Sequence, residues 1–86
     1  MEEKQEFQLG DTLYYVWQDG FGEWDFLKET IVGVSIGKDG IYLQYKGSAK
    51  LQRDCGHNLK EAKEIAVKNW YKNNKSNIKK LRELKE

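Results

Sequence analysis

The fold of this chain is decided by one stretch, Thr30–Tyr45, which has the sequence TIVGVSIGKDGIYLQY. Before and after the central Gly37–Gly40 segment, every second residue is apolar. These apolar residues are Val32, Val34, Ile36, Ile41, Leu43 and Tyr45. A period of two is typical of β-strands that bury one face. The Gly37–Gly40 segment between them contains Asp-Gly, a pair that suits the positive φ angles of a tight reversal. The stretch therefore predicts a β-hairpin.

The size and composition of the chain favour one small domain. The chain has 86 residues, of which 38% are hydrophobic and 13% aromatic, and large rings let a short chain close a core. No window approaches the roughly 18 apolar residues of a membrane span. The first residues, MEEKQEF, are acidic and polar, unlike a signal peptide. We therefore expect a cytoplasmic protein that does not contact a membrane.

The pattern along the chain divides it into three parts. We expect residues 1–6 to be disordered, residues 7–72 to form the domain, and residues 73–86 to form a basic helical tail. Within the domain, Thr12–Trp17 (TLYYVW) is rich in β-branched and aromatic residues and predicts the first strand. Both faces of this strand are apolar, which indicates that a helix covers the second face.

A helix is predicted to begin after Asn58, a favoured N-cap residue, with Glu61 at the capping-box position. An apolar stripe follows at helical spacing, formed by Leu59, Ala62, Ile65, Ala66 and Trp70. Residues 73–77 are poor helix formers, yet Leu81 and Leu84 remain in phase with the stripe. The helix therefore either continues through this segment or breaks there, and we favour a break near residues 73–77.

Together these elements predict a mainly β domain, a small SH3-like antiparallel β-barrel of four or five strands followed by one amphipathic helix. The segments Gly10–Val16, Thr30–Val34 and Asp39–Tyr42 resemble KOW and Tudor-type barrels. With Lys60–Glu64 (KEAKE), they also resemble short uncharacterised proteins of low-GC Gram-positive bacteria and their phages. The resemblance implies a binding or accessory module, encoded by a phage or mobile element, with no catalytic residues to carry over.

Aromatic residues are concentrated around the glycine-containing loop after the first strand, and they are Trp17, Phe21, Trp24 and Phe26. Rings on such a loop could grip a peptide, a base or a methylated amine. The alternative, which we favour, is that these rings fold back and plug one end of a small barrel. A methyl-lysine cage would need a further ring in the 46–48 turn, which has none.

Charge is distributed unevenly along the chain. Residues 1–56 contain six Lys or Arg residues and ten Asp or Glu residues, which gives a net charge of −4. Residues 57–86 contain nine Lys or Arg residues and four Asp or Glu residues, which gives a net charge of +5. A basic segment indicates either a nucleic-acid contact or an ordinary solvated helix face. The candidate nucleic-acid contacts are Lys68, Lys72, Lys75, Lys79, Lys80 and Arg82. The apolar residues of the tail, Ile78, Leu81 and Leu84, are candidates for contact with a partner or a second copy.

The chain offers little for catalysis or metal binding. Cys55 and His57 are its only cysteine and histidine, whereas a structural zinc site needs four ligands. A nucleophile and base pair would also need a third, orienting group. We therefore expect no catalysis, no metal and no cofactor. The favoured function is a non-catalytic module that binds a protein partner, and the alternative is nucleic-acid binding through the basic C-terminal helix.

Overall fold

The structure, a computed structural model, describes residues 3–70 and 78–86. Its elements, in chain order, are β1 (Thr12–Gln18), β2 (Trp24–Thr30), β3 (Gly33–Gly37), β4 (Gly40–Tyr45), β5 (Ser48–Leu51), a 3₁₀ turn (Gln52–Asp54), α1 (Leu59–Trp70) and α2 (Ile78–Glu83). This order confirms the prediction of a mainly β domain with helices at its C-terminal end.

The strands form two antiparallel sheets, one of β1 and β2 and one of β3, β4 and β5. The chain passes from one sheet to the other at Ile31 and Val32. The backbone N–H of Ile31 donates to Asp11 O (2.8 Å), next to β1, while that of Val32 donates to Gln44 O (2.8 Å) in β4. The described residues form no closed barrel, so an SH3-like barrel remains a proposal.

The predicted hairpin is confirmed, with Lys38 and Asp39 as the turn between paired Gly37 and Gly40. The positive φ lies at Gly40 (136°), not at Asp39.

The alternation of apolar residues in β3 does not give one buried face. Val34 lies opposite Leu43 and packs on the core. Val32 and Ile36, however, are 68% and 86% exposed. The bend between β2 and β3 buries Ile31, and β3 extends past the core at Ile36. Val32 lies just before β3, and the expectation that Val32, Val34 and Ile36 share one buried face is wrong for Val32 and Ile36.

A first core cluster packs Leu13 of β1 with residues from both sheets and the flanking segments, namely Phe7, Ile31, Ile41, Leu43, Tyr45 and Cys55. The opposite face of β1 presents Tyr14 and Val16 to a second cluster. That cluster is completed by Ala62 and Ala66 of α1 and Leu81 of α2. The prediction that a helix covers the second face of the first strand is confirmed, because alternate side chains of β1 serve different clusters.

The start of α1 follows the sequence prediction. Asn58 Oδ1 accepts a hydrogen bond from the Glu61 backbone N–H (2.8 Å), which is the N-cap contact. The Glu61 carboxylate bonds to His57 Nδ1 (2.9 Å).

The predicted break near residues 73–77 lies outside the described residues. At the end of the chain, Glu86 Oε2 accepts hydrogen bonds from Tyr14 Oη (3.0 Å) and Lys28 Nζ (2.7 Å), which fixes it across β1 and β2.

The N-terminal segment lies against the domain through one buried amide, that of Gln52. Its Oε1 accepts hydrogen bonds from the backbone N–H groups of Glu6 (2.8 Å) and Phe7 (3.3 Å). Its Nε2 donates to Lys4 O (2.7 Å) and to Glu3 Oε2 (3.1 Å). Because a single side chain satisfies several backbone groups, residues 3–7 follow a defined path. The hydrogen bonds to Gln52 could not be predicted from the local sequence of residues 1–6, the segment that was expected to be disordered.

Candidate interaction site

A groove with aromatic walls lies between the two sheets, with a volume of about 300 Å³. It is lined by Tyr15 and Trp17 of β1, Leu27 of β2 and Lys50 of β5. Tyr15 and Leu27 are cross-strand partners, and Lys50 is paired with the core residue Leu43. The groove is therefore an outward continuation of the first core cluster, at a place where neither sheet covers the other.

The two rings in the groove are held in a defined arrangement. Tyr15 and Trp17 lie two residues apart on one strand and so share a face. Their ring centroids are 5.9 Å apart and their planes are inclined by 19°. Lys50 Nζ lies 4.6 Å from the centroid of the Tyr15 ring, within the range of a cation–π contact. The Lys50 side chain therefore has an internal partner within the groove.

The hydroxyl group of Tyr15 stays protonated at neutral pH. Partial burial raises the pKa of this phenol, and the nearby Asp54 raises it further because a phenolate would be repelled. The groove therefore offers a neutral hydroxyl that can donate a hydrogen bond, beside apolar ring faces.

The rim of the groove toward the β1–β2 loop is acidic. Asp25 is exposed and is the cross-strand partner of Trp17. Asp19 shapes the loop, because its Oδ1 accepts hydrogen bonds from the backbone N–H groups of Phe21 (2.8 Å) and Glu23 (3.0 Å). An apolar groove beside these carboxylates suits a ligand with an apolar side chain and a neighbouring cation.

The structure does not bring the four aromatic candidates together. Trp17 lines the groove, and Phe21 is 94% exposed in the loop. Trp24 and Phe26 are half-buried against the second core cluster, where the Phe26 ring stacks on Tyr14 with centroids 6.4 Å apart. The strand register separates these residues. Trp17 of β1 is paired with Asp25 of β2, so the neighbours of Asp25, Trp24 and Phe26, lie on the opposite face of the sheet from Trp17. Of the four candidates, Trp17 alone is placed in the groove by the described lining, Phe21 is exposed in the loop, and Trp24 and Phe26 face the helices.

Sequence reasoning missed three of the groove residues, Tyr15, Leu27 and Lys50. Tyr15 could have been found, because its spacing from Trp17 puts both rings on one face of a strand. Leu27 and Lys50 gave no local signal, because their positions depend on strand pairing across the chain.

The apolar tail candidates belong to α2 and the residues after it. Leu81 is 1% exposed in the second core cluster, Leu84 packs on that cluster, and Ile78 is half-buried. Leu81 would have to leave the core to reach a partner. The partner-binding role of these three residues stays a prediction.

The candidate nucleic-acid contacts lie on several surfaces. Lys68, Lys79, Lys80 and Arg82 are exposed, and Lys80 pairs with Glu23 (3.6 Å). Lys68 and Arg82 line a groove between α1 and α2. The other two candidates, Lys72 and Lys75, lie outside the described residues.

Cys55 is unsuited to act as a nucleophile. Its thiol is 2% exposed, its pKa is raised to about 12 by burial, and Sγ donates to Leu51 O at 3.4 Å. A thiol with that pKa holds its proton at neutral pH. Within residues 3–70 and 78–86 there is no group of three or more His, Cys, Asp or Glu side chains that could hold a metal ion.

Comparison with known proteins gives this chain no relatives. No protein-family model matches it, and no curated protein or solved structure matches it significantly. Over the described parts of the chain, no helix has the length and apolar character needed to cross a membrane.

Proposed function

We propose that this protein is a non-catalytic binding module that holds an extended peptide segment of a partner protein in the groove of Tyr15, Trp17, Leu27 and Lys50. The observation that carries the proposal is the exposed edge of the first core cluster, where two fixed rings and an aliphatic side chain line an open groove. Rings whose positions are fixed before binding lose little conformational freedom when a ligand docks. Aromatic residues are also enriched among those that dominate interface energies.

We further propose that the domain is an SH3-like barrel, as its resemblance to KOW and Tudor-type barrels implies. Support comes from Gly56, which follows the 3₁₀ turn and exchanges two backbone hydrogen bonds with Tyr14 (2.9 and 2.8 Å). This bridge gives β1 a partner on the edge opposite β2. The bridge thus links β1 to the segment that follows β5, and a small strongly bent barrel would need such a link as well as the bend at Ile31 and Val32.

The chemistry of the rim indicates which peptide would bind. Residues 1–56 carry a net charge of −4, and Asp25 is exposed beside Trp17. Among the described lining residues the cation is Lys50, which contacts the Tyr15 ring. A peptide with an apolar or aromatic side chain for the groove and a basic residue directed at the loop therefore fits best. A volume of about 300 Å³ is enough for one or two such side chains.

The proposal is tested by selecting ligands from a displayed library of random peptides with the full chain. Two variants are selected in parallel: Trp17→Ser, which removes one wall of the groove, and Ile36→Ser as the matched control. Ile36 is 86% exposed and is not among the residues that line the groove, so this variant removes exposed apolar surface elsewhere. Thermal unfolding of each variant shows that its fold is retained.

Wild type and Ile36→Ser are expected to enrich the same motif, which combines an apolar or aromatic residue with a basic one, and Trp17→Ser is expected to lose it. Enrichment of that motif by Trp17→Ser, or no enrichment by the wild type, would overturn the proposal.

A further inference from the structure

A second groove lies between α1 and α2, on the opposite face of the β1–β2 sheet from the aromatic groove. Its volume is about 510 Å³, and its floor is apolar, formed by Val67 and the edge of Leu81. The charged residues that line it are Lys60, Lys63, Glu64, Lys68 and Arg82. Four cations and one carboxylate give these side chains a net charge of +3.

The register of α1 arranges these residues in two parallel rows. Lys60, Glu64 and Lys68 are four residues apart and lie on one face, and Lys63 and Val67 form the adjacent row. Lys63 Nζ donates a hydrogen bond to Arg82 O at 3.3 Å, which connects the wall formed by α1 to α2. The groove thus has an apolar floor and a rim on which Lys60 and Lys68 are exposed cations.

This combination favours an acidic protein segment over a nucleic acid. Proteins that bind single strands pair a basic channel with rings on which bases stack, and none of the lining residues that the structure describes here is aromatic. An amphipathic helix instead places apolar side chains on an apolar floor and acidic side chains against a basic rim.

We propose that the α1–α2 groove binds a short acidic amphipathic helix of a partner protein. The residues of α1 that line the groove run from Lys60 to Lys68, about 12 Å at 1.5 Å per residue, which matches about two turns of such a helix. This surface goes beyond the peptide groove proposed above. Because the two grooves lie on opposite faces of one sheet, the domain can hold two different partner segments at once.

The test measures binding of a fluorescently labelled synthetic helix of about 12 residues to the full chain by anisotropy. The helix carries leucines on one face and glutamates on the other, and a peptide of the same composition without an apolar face is its control. The double variant Lys60→Glu and Lys68→Glu reverses the charge of the two exposed lysines on the rim of the groove. The matched variant Lys79→Glu and Lys85→Glu makes the same change in net charge at exposed lysines outside the groove.

The amphipathic peptide is expected to bind, and the rim variant to weaken binding by about tenfold, while the matched variant changes it by less than about twofold. Equal binding of the two peptides, equal effects of the two variants, or no binding would overturn the proposal. Salt-sensitive binding of a labelled single-stranded oligonucleotide that the rim variant abolishes, without peptide binding, would assign the groove to nucleic acid instead. Self-association of the chain that the rim variant abolishes would assign it to a second copy.

Discussion

The imidazole ring of His57 stacks on the phenyl ring of Phe7, with ring centroids 3.9 Å apart and planes inclined by only 3°. The two ring nitrogens of His57 lie near Glu61 Oε1 (2.9 Å) and Glu6 O (3.1 Å). Both partners are acceptors, so both bonds can form at once only when the imidazole is protonated and donates from each nitrogen. His57 therefore joins the N-terminal segment to the start of α1 most strongly in its charged form.

This arrangement makes the contribution of His57 to stability depend on pH. The hydrogen bond to Glu61, and then that to the Glu6 backbone, raise the pKa of His57 above its ordinary value of 6.5. A pKa that is higher in the folded state gives stability that is fully present below 6.5 and is lost as the pH rises through the folded pKa. Both side chains of the pair are more than 40% exposed, so we expect about 0.5 kcal/mol.

The check is the variant His57→Phe, which keeps a ring on Phe7 but cannot be charged. Its deficit in free energy of unfolding relative to wild type should be larger near pH 5.5 than near pH 8.5. NMR titration of the single histidine should give a pKa above 6.5 that falls toward this value in Glu61→Gln. An unchanged titration in Glu61→Gln would contradict this explanation.

Gln52→Leu is expected to lower the free energy of unfolding by about 2–3 kcal/mol, because it leaves the backbone groups of Lys4, Glu6 and Phe7 without their buried partner. Denaturant unfolding measures the loss, and faster proteolysis near the N-terminus should accompany it. Gln44→Leu is the control, since Gln44 is exposed and should change stability by about 0.5 kcal/mol or less. Equal losses in the two variants would show that the buried amide has no special role.

Gly56→Ala is expected to destabilise the domain by about 1–3 kcal/mol. A Cβ atom at this position would lie 2.5 Å from the backbone nitrogen of Ala62 and 2.9 Å from its Cα, so either the bridge to β1 or the first turn of α1 must move. Thermal unfolding provides the measurement, and Gly20→Ala provides the control, because nothing lies within 4 Å of a Cβ there. A Gly56→Ala protein as stable as Gly20→Ala would refute this close approach.

Leu81→Ala is expected to cost about 2–4 kcal/mol, the usual effect of truncating a fully buried leucine. The control is Leu9→Ala, since Leu9 is 66% exposed. Chemical denaturation of both variants compares the two sites directly. A small effect at Leu81 would mean that α2 is not packed on α1 and β1, and the groove between the helices would then lose its floor.

Local patterns were sufficient for some elements of the fold and insufficient for others. The Gly37–Gly40 turn and the Asn58 cap depend on neighbours a few residues away, and both were predicted. The exposure of Val32 and Ile36 was not, because it depends on the bend at Ile31, which is fixed by hydrogen bonds to distant segments. The role of Gln52 was equally hidden, since its partners lie more than 40 residues earlier in the chain.

The candidate site was predicted only in part, for a related reason. An aromatic-rich region around the β1–β2 loop was evident, but the register that separates Trp17 from Trp24 and Phe26 is not encoded in the loop sequence. The position of Lys50 in the groove depends on the pairing of β4 with β5, which also could not be predicted from the local sequence.

The central claim, that Trp17 and its neighbours form a peptide groove, is tested most directly by NMR of the indole N–H groups. The full chain is titrated with the peptide most enriched by selection on wild type. The Trp17 indole signal should shift with added peptide, whereas that of Trp24, which packs against the helices, should stay in place. A shift of Trp24 alone, or no shift of Trp17 at saturating peptide, would contradict the account.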